Sequence, residues 1–169
     1  MKIAQAIAVI VLGALLLVKG IIPAFETVGV DFANYYTSSY VLIHDRGNVD
    51  RLYDKVWFSE RARDLGSHEG GIFQPFPPAT ALVMLPIISF ELRTAKAIWT
   101  IVNLGLLVLL VIVLSRLSAI SYLGAAFIVV ASGFALINNF FLGQIYLLMT
   151  ICLALSILFL RQGRDILSG

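Results

Sequence analysis

Asp31 is the residue of this chain best placed to do chemistry, because it follows a long apolar stretch by a few positions and is flanked by Val30, Phe32, Tyr35 and Tyr36. A carboxylate partly desolvated beside aromatic rings is a stronger base than one in bulk water, and such a base can take the proton of a hydroxyl group. The competing reading is structural: Asp is a frequent helix cap, and Asp31 would cap a helix that begins at Phe32. The residues alone leave both readings open. His44, Asp45, Asp50, Asp54, Glu60, Asp64, His68 and Glu69 follow, none at the spacing of a His-Glu-x-x-His or His-rich metal motif, so no metal site is read from them and solvated surface is expected. Tyr35, Tyr36, Tyr40, Tyr53 and Trp57 suit an aromatic belt at headgroup depth. Asn103 and Gln144 are polar positions within apolar stretches, where an amide either binds a neighbouring helix or lines a pathway. Cys152 is the only cysteine, which excludes a disulfide framework and a thiolate cluster. No phosphate-binding loop, dinucleotide fingerprint or nucleophile elbow is present.

The elements that must position these residues are apolar. Of 169 residues, 60% are hydrophobic and 13% charged, and the mean hydropathy is +0.95, so water is not the main solvent of this chain. The net charge of +2 is small and its basic residues are scattered, which excludes a nucleic-acid partner. A bilayer core about 30 Å thick takes roughly 20 apolar residues in helical form, since a spanning backbone must satisfy its own hydrogen bonds. Four stretches approach that length, at about 3–25, 97–114, 118–137 and 141–160. The first has Lys2 ahead of it like a secretory signal, but it is long and no small-residue cleavage site follows, so it is read as an uncleaved span. The last two are separated by Asn138-Asn139, and 115–117 form the turn after the second.

Between the first two spans lies a polar segment, about 26–96, which holds most of the acidic residues and both histidines. Within it, 31–45 and 48–65 carry apolar residues at helical spacing and are expected as short interfacial helices. Residues 78–90 resemble a span, but about 12 residues separate Pro78 from Glu91, too few to cross. Pro77, Pro78 and Pro86 would also break a spanning helix, so a membrane-dipping segment is expected. Four spans with Lys2 in the cytoplasm put Arg116, Arg161 and Arg164 in the cytoplasm as well, whereas a fifth span at 78–90 would put those three outside. The expectation is therefore an all-α membrane protein of the cytoplasmic membrane, one domain over 1–169. It is multi-pass with both termini cytoplasmic and an outer loop containing short interfacial helices.

Taken together, these residues resemble the N-terminal half of a glycosyltransferase-C fold enzyme of the polyprenyl-phosphate-dependent mannosyl- and arabinofuranosyltransferases. The resemblance rests on Asp31-Phe32 with Tyr35-Tyr36 after the first span, then Gly47 and Leu52-Tyr53. It continues through Phe76-Pro77-Pro78 running on to Pro86, Trp99 with Asn103, and Phe141-Leu142-Gly143-Gln144 opening a span. Phe76 stands where the family commonly has Tyr, and Tyr146 stands where a polar residue is expected, two positions after Gly143-Gln144.

The resemblance implies transfer of a sugar from a polyprenyl-phosphate-linked donor to a hydroxyl of a glycan or glycolipid acceptor, with inversion and with Asp31 as general base. It implies substrate contacts from Tyr35, Tyr36, Phe76, Pro77, Pro78, Asn103 and Gln144, and membrane lipid as a partner. No cofactor is assigned, and a divalent cation stays open. Arg51, Lys55, Arg61, Arg93 and Lys96 are the cations available to a phosphate leaving group. Two rival readings are a truncated, non-catalytic membrane module that binds lipid or a partner membrane protein, and a small transporter. The transporter is disfavoured because Lys19 is the only ionisable residue within the spans.

Overall fold

The computed structural model describes residues 2–164; Met1 and 165–169, and with them the expected cytoplasmic placement of the two termini, lie outside the described residues. In chain order the elements are α1 (Lys2–Leu16), a π-helical turn (Leu17–Ile21), α2 (Ile22–Glu26), α3 (Val30–His44), a 3-10 segment (Arg46–Tyr53) and α4 (Lys55–Asp64). Two short 3-10 turns (Pro78–Leu82 and Leu85–Ile87) follow, then α5 (Leu92–Ser118), α6 (Tyr122–Val130), α7 (Phe134–Leu142) and α8 (Tyr146–Arg161). No strand occurs among the described residues. The protein is an all-α membrane protein.

Its contacts divide into two units. A span unit contains residues up to Pro23, Ile101–Phe140 and the chain from Gln144 on; a loop unit contains Ala24–Thr100 and Phe141–Gly143.

In the span unit, where four spans are expected, two helical stretches among the described residues are long and apolar enough to cross a membrane, or three if the bent pair α6 and α7 is one span; the last apolar helix is shorter. The helical stretch Lys2–Glu26 is 25 residues long and α5 is 27, lengths of roughly 38 and 40 Å at 1.5 Å per residue, enough to cross a core of about 30 Å. α5 runs through 115–117, so the turn expected there falls instead at Ala119, whose φ is +53. The stretch expected as one span over 118–137 is two helices, α6 and α7, bent by 74°. The bend is built from Ser132 and Gly133. Gly133 takes φ +56, and the Ser132 hydroxyl donates to the Val129 carbonyl at 2.7 Å, which occupies an acceptor that the broken ladder releases.

Asn138 and Asn139, expected to form an outer turn, are inside α7. The next break comes at Gly143, so Phe141-Leu142-Gly143-Gln144 does not open a span: α8 begins at Tyr146 and is 16 residues long. α1 packs along α6, and Gly20 lies against the backbone of Ile137, where a Cβ would stand 3.3 Å from the Ile137 Cα.

In the loop unit the two helical patterns read from sequence appear as α3, the 3-10 segment and α4. Asp54 starts α4 by accepting from the Val56 and Trp57 amides at 3.1 and 3.2 Å. Those bonds, that of Trp57 first, hold its carboxyl below the usual carboxylate range. The core joins Val41, Leu52, Phe58, Phe73 and Ala81, with the Phe58 and Phe73 rings stacked at 5.7 Å between centroids. Burying a Phe side chain contributes about 1.5–3 kcal/mol, so this cluster is what keeps α4 and the chain after it on α3.

The segment 78–90 satisfies its backbone through 3-10 turns, with Thr80 donating to Pro77 and Ile87 to Met84 at 3.0 and 2.9 Å, as expected where prolines interrupt an apolar run. Tyr35 and Tyr36 depart from the belt reading. They are buried inside the unit at 1% and 3% exposure, because a helix lying against an aromatic core sinks its rings into that core as readily as into headgroups.

Candidate active site

Asp31 stands in the first turn of α3, and the residue that caps that helix is Gly29, with φ −70 and ψ 150. The helix thus begins earlier than a cap at Asp31 requires. Gly29 is needed for its size: a Cβ there would run into the Leu142 backbone. Asp31 is half-buried, and unpaired N–H dipoles at a helix start favour an anion, which gives the placement a structural value beside any chemistry.

Helical periodicity puts Tyr35 on the same face as Asp31, one turn on. The Tyr35 ring meets Phe76 edge-on, with centroids 5.0 Å apart and planes at 66°. Phe76 is held from two sides: its amide donates to the Phe73 carbonyl at 2.9 Å, and its carbonyl accepts from the Tyr53 hydroxyl at 3.0 Å. Pro77 then continues in extended conformation, and Pro78 opens the next 3-10 turn. Tyr36 is anchored separately, its hydroxyl donating to the Phe90 carbonyl at 2.7 Å. Burial first, then Tyr40 and Glu91 nearby, raises this phenol above its usual value, so it stays a hydroxyl donor at neutral pH.

Phe32, the residue after Asp31, faces a different pair. A Cβ on Gly143 would stand 2.6 Å from the Phe32 Cβ and 3.1 Å from the Lys96 Cε, and the φ of Gly143 is +72. Lys96 is buried at 1% exposure, with its ammonium 5.9 Å from the Phe32 ring centroid. The Trp99 indole N–H donates to the Gly143 carbonyl at 3.1 Å. The loop unit therefore sets Phe76, which precedes Pro77 and Pro78, against Tyr35, with Asp31 one helical turn before Tyr35, and gathers Phe32, Lys96, Trp99 and Gly143 separately.

Asn103 and Gln144 belong to the span unit, where both meet Asn139. The Asn139 side-chain amide donates to the Asn103 Oδ1 at 2.9 Å; the Asn139 carbonyl accepts from the Gln144 amide at 2.9 Å. Asn139 Oδ1 also accepts from the Leu147 amide at 3.2 Å, and so serves as the cap of α8, whose own N-cap, Ile145, makes no side-chain capping bond. Sequence reading missed Asn139 because an Asn pair between apolar runs looks like a solvated turn. Asn139→Ala is expected to cost about 1–2 kcal/mol, the value of a lost cap together with a lost interhelical amide bond. Thermal unfolding of the detergent-solubilised protein checks this, and an unchanged midpoint would refute it.

Among the described residues, no three His, Cys, Asp or Glu side chains gather to hold a metal ion.

The sequence profile of glycosyltransferase family 87 matches residues 73–169, more than half of the chain. The chain belongs to glycosyltransferase family 87. The match begins just before Phe76-Pro77-Pro78 and includes Trp99, Asn103 and residues 141–144. Searches of curated proteins and of solved structures returned no match. Membership in family 87 makes this a membrane glycosyltransferase, a class that needs a sugar donor and a glycan acceptor, and it favours that reading over a non-catalytic membrane module.

Proposed function

We propose that this family 87 protein takes its sugar from a polyprenyl-phosphate-linked donor and transfers it with inversion to an acceptor hydroxyl, with Asp31 as general base. What supports this reading is that the Phe76-Pro77-Pro78 segment meets α3 at Tyr35, and Gly143 with Trp99 meets it at Phe32, so segments far apart in the chain converge in one unit on the helix that carries Asp31 in its first turn. The mannosyl- and arabinofuranosyltransferases of glycosyltransferase-C fold are the group this arrangement suits. In the step, an Asp31 carboxylate oxygen accepts the proton of the acceptor's hydroxyl while the hydroxyl oxygen attacks the anomeric carbon. The bond from that carbon to the phosphate oxygen breaks on the opposite face, and polyprenyl phosphate leaves with the electron pair.

A leaving phosphate needs a positive neighbour. Arg51 and Arg61 pair with Asp54 and Asp45, and the Lys96 ammonium lies over the ring of Phe32, the residue that follows the proposed base. In the span unit, a groove of about 410 Å³ lined by Leu110, Leu114, Ile128, Leu136, Leu147 and Leu153 has the apolar walls that a prenyl chain requires. The positive-inside pattern supports a plasma-membrane protein with the loop unit on the outer side.

The test is a transfer assay on the full chain in nanodiscs, supplied either with polyprenyl-phosphate sugars or with nucleotide sugars. Transfer is expected only from the lipid-linked donors, with the anomeric configuration of the product opposite to that of the donor by NMR. Equal use of nucleotide sugars, or retained configuration, overturns the reading.

A further inference from the structure

Apart from the Asp31 face, the loop unit contains an open cleft of about 640 Å³, within the roughly 300–1,000 Å³ of small-molecule sites. Its walls come from the chain after α2, from Tyr36 on α3, from the end of α4 with the turn after it, and from the start of α5. Glu26, Asp64, Glu69 and Glu91 contribute hydrogen-bond acceptors, His68 and Arg93 contribute donors, and Leu65 and Leu92 contribute apolar surface.

This mixture selects among ligands. Four carboxylates against one guanidinium repel a phosphate, so the donor's head group is excluded. No three metal-capable side chains among the described residues converge, which argues against a bare cation. A sugar hydroxyl both donates and accepts, and it is matched by acceptors and donors set side by side with apolar patches between them. Tyr36, fixed by its bond to the Phe90 carbonyl, lines the cleft from α3 and gives it a rigid wall.

We infer that this cleft binds the neutral, hydroxyl-rich part of the glycan acceptor. The inference rests on the glycosyltransferase reading but not on the role given to Asp31.

The experiment titrates the full chain in nanodiscs with maltose, cellobiose and mannobiose, and with spermidine and inorganic phosphate as charged probes, following binding by saturation-transfer NMR. At least one disaccharide is expected to bind, and Glu69→Gln with Glu91→Gln is expected to weaken it by about tenfold or more, as the loss of charged hydrogen-bond partners implies. Glu69 and Glu91 are exposed, so folding should survive; if the double variant melts early, Arg93→Gln alone decides by the same criterion. The inference is overturned if no disaccharide binds, if binding is unchanged in folded variants, or if spermidine or phosphate binds more tightly than every disaccharide. Asp31→Asn is expected to retain disaccharide affinity even as transfer is lost, so failure of the cleft and failure of the base are read separately.

Discussion

Asp31→Asn is expected to lower kcat for sugar transfer by roughly 10²–10⁴-fold, the usual contribution of a positioned general base, with little change in KM. Asparagine keeps the size and hydrogen-bonding reach of the carboxylate but cannot accept the acceptor's proton at useful strength. The substitution therefore separates chemistry from architecture. Asp31 is half-buried in the first turn of a helix that Gly29 already caps, so the melting temperature should change little. A rate split of this kind, measured on the full chain with a lipid-linked donor, supports the base. Wild-type turnover in the variant would remove Asp31 from the mechanism and leave it as a favourable charge at a helix start.

Gly143→Val is expected to have the largest effect on stability. A β-branched residue at φ +72 costs on the order of 1–3 kcal/mol in backbone strain, and its side chain would meet the Phe32 Cβ and the Lys96 stem at 2.6 and 3.1 Å, adding about 1–3 kcal/mol of overpacking. Together these approach about 4 kcal/mol, against a typical domain stability of roughly 5–15 kcal/mol. Gly105 is the control: nothing lies within 4 Å of a Cβ there, and Gly105→Ala should be neutral or slightly stabilising, by up to about 1 kcal/mol, from helix propensity. Thermal unfolding in one detergent compares the two. Equal melting of both variants would mean that the packing of Gly143 on Phe32 and Lys96 contributes nothing.

Much of the fold could be read from hydropathy and proline placement. The long helices Lys2–Glu26 and Leu92–Ser118 follow from runs of apolar residues, and the 3-10 turns of 78–87 follow from Pro78 and Pro86. The bend between α6 and α7 was hidden because Ala131, Ser132 and Gly133 are small and nearly neutral in hydropathy, so a break built from them leaves the apolar run intact. Gly143 was read as part of a helix start because its positive φ is invisible in the chain. Of the site, Asp31 and its alignment with Tyr35 needed only the helical period. That Phe76 meets Tyr35, or that Lys96 packs on Phe32, depends on contacts between segments tens of residues apart, which no local pattern encodes. Tyr35 and Tyr36 were misread as belt residues because an aromatic side chain suits a core and an interface equally well.

The π-helical turn at Leu17–Ile21 gives the first span a consequence of phase. A wide turn takes up one residue more than an α-helical turn of similar height, so the stripe of side chains before it is offset from the stripe after it by about 100°. Leu16, buried at 5% exposure, and Gly20, seated on the Ile137 backbone, are four residues apart and share a face in either geometry, whereas the side chains on the two sides of the turn do not continue one stripe. Deleting any one residue from this turn would restore an uninterrupted α-helix of almost unchanged hydropathy and rotate one end of the span away from its neighbours. In this helix the register of the chain, more than its greasiness, carries the information.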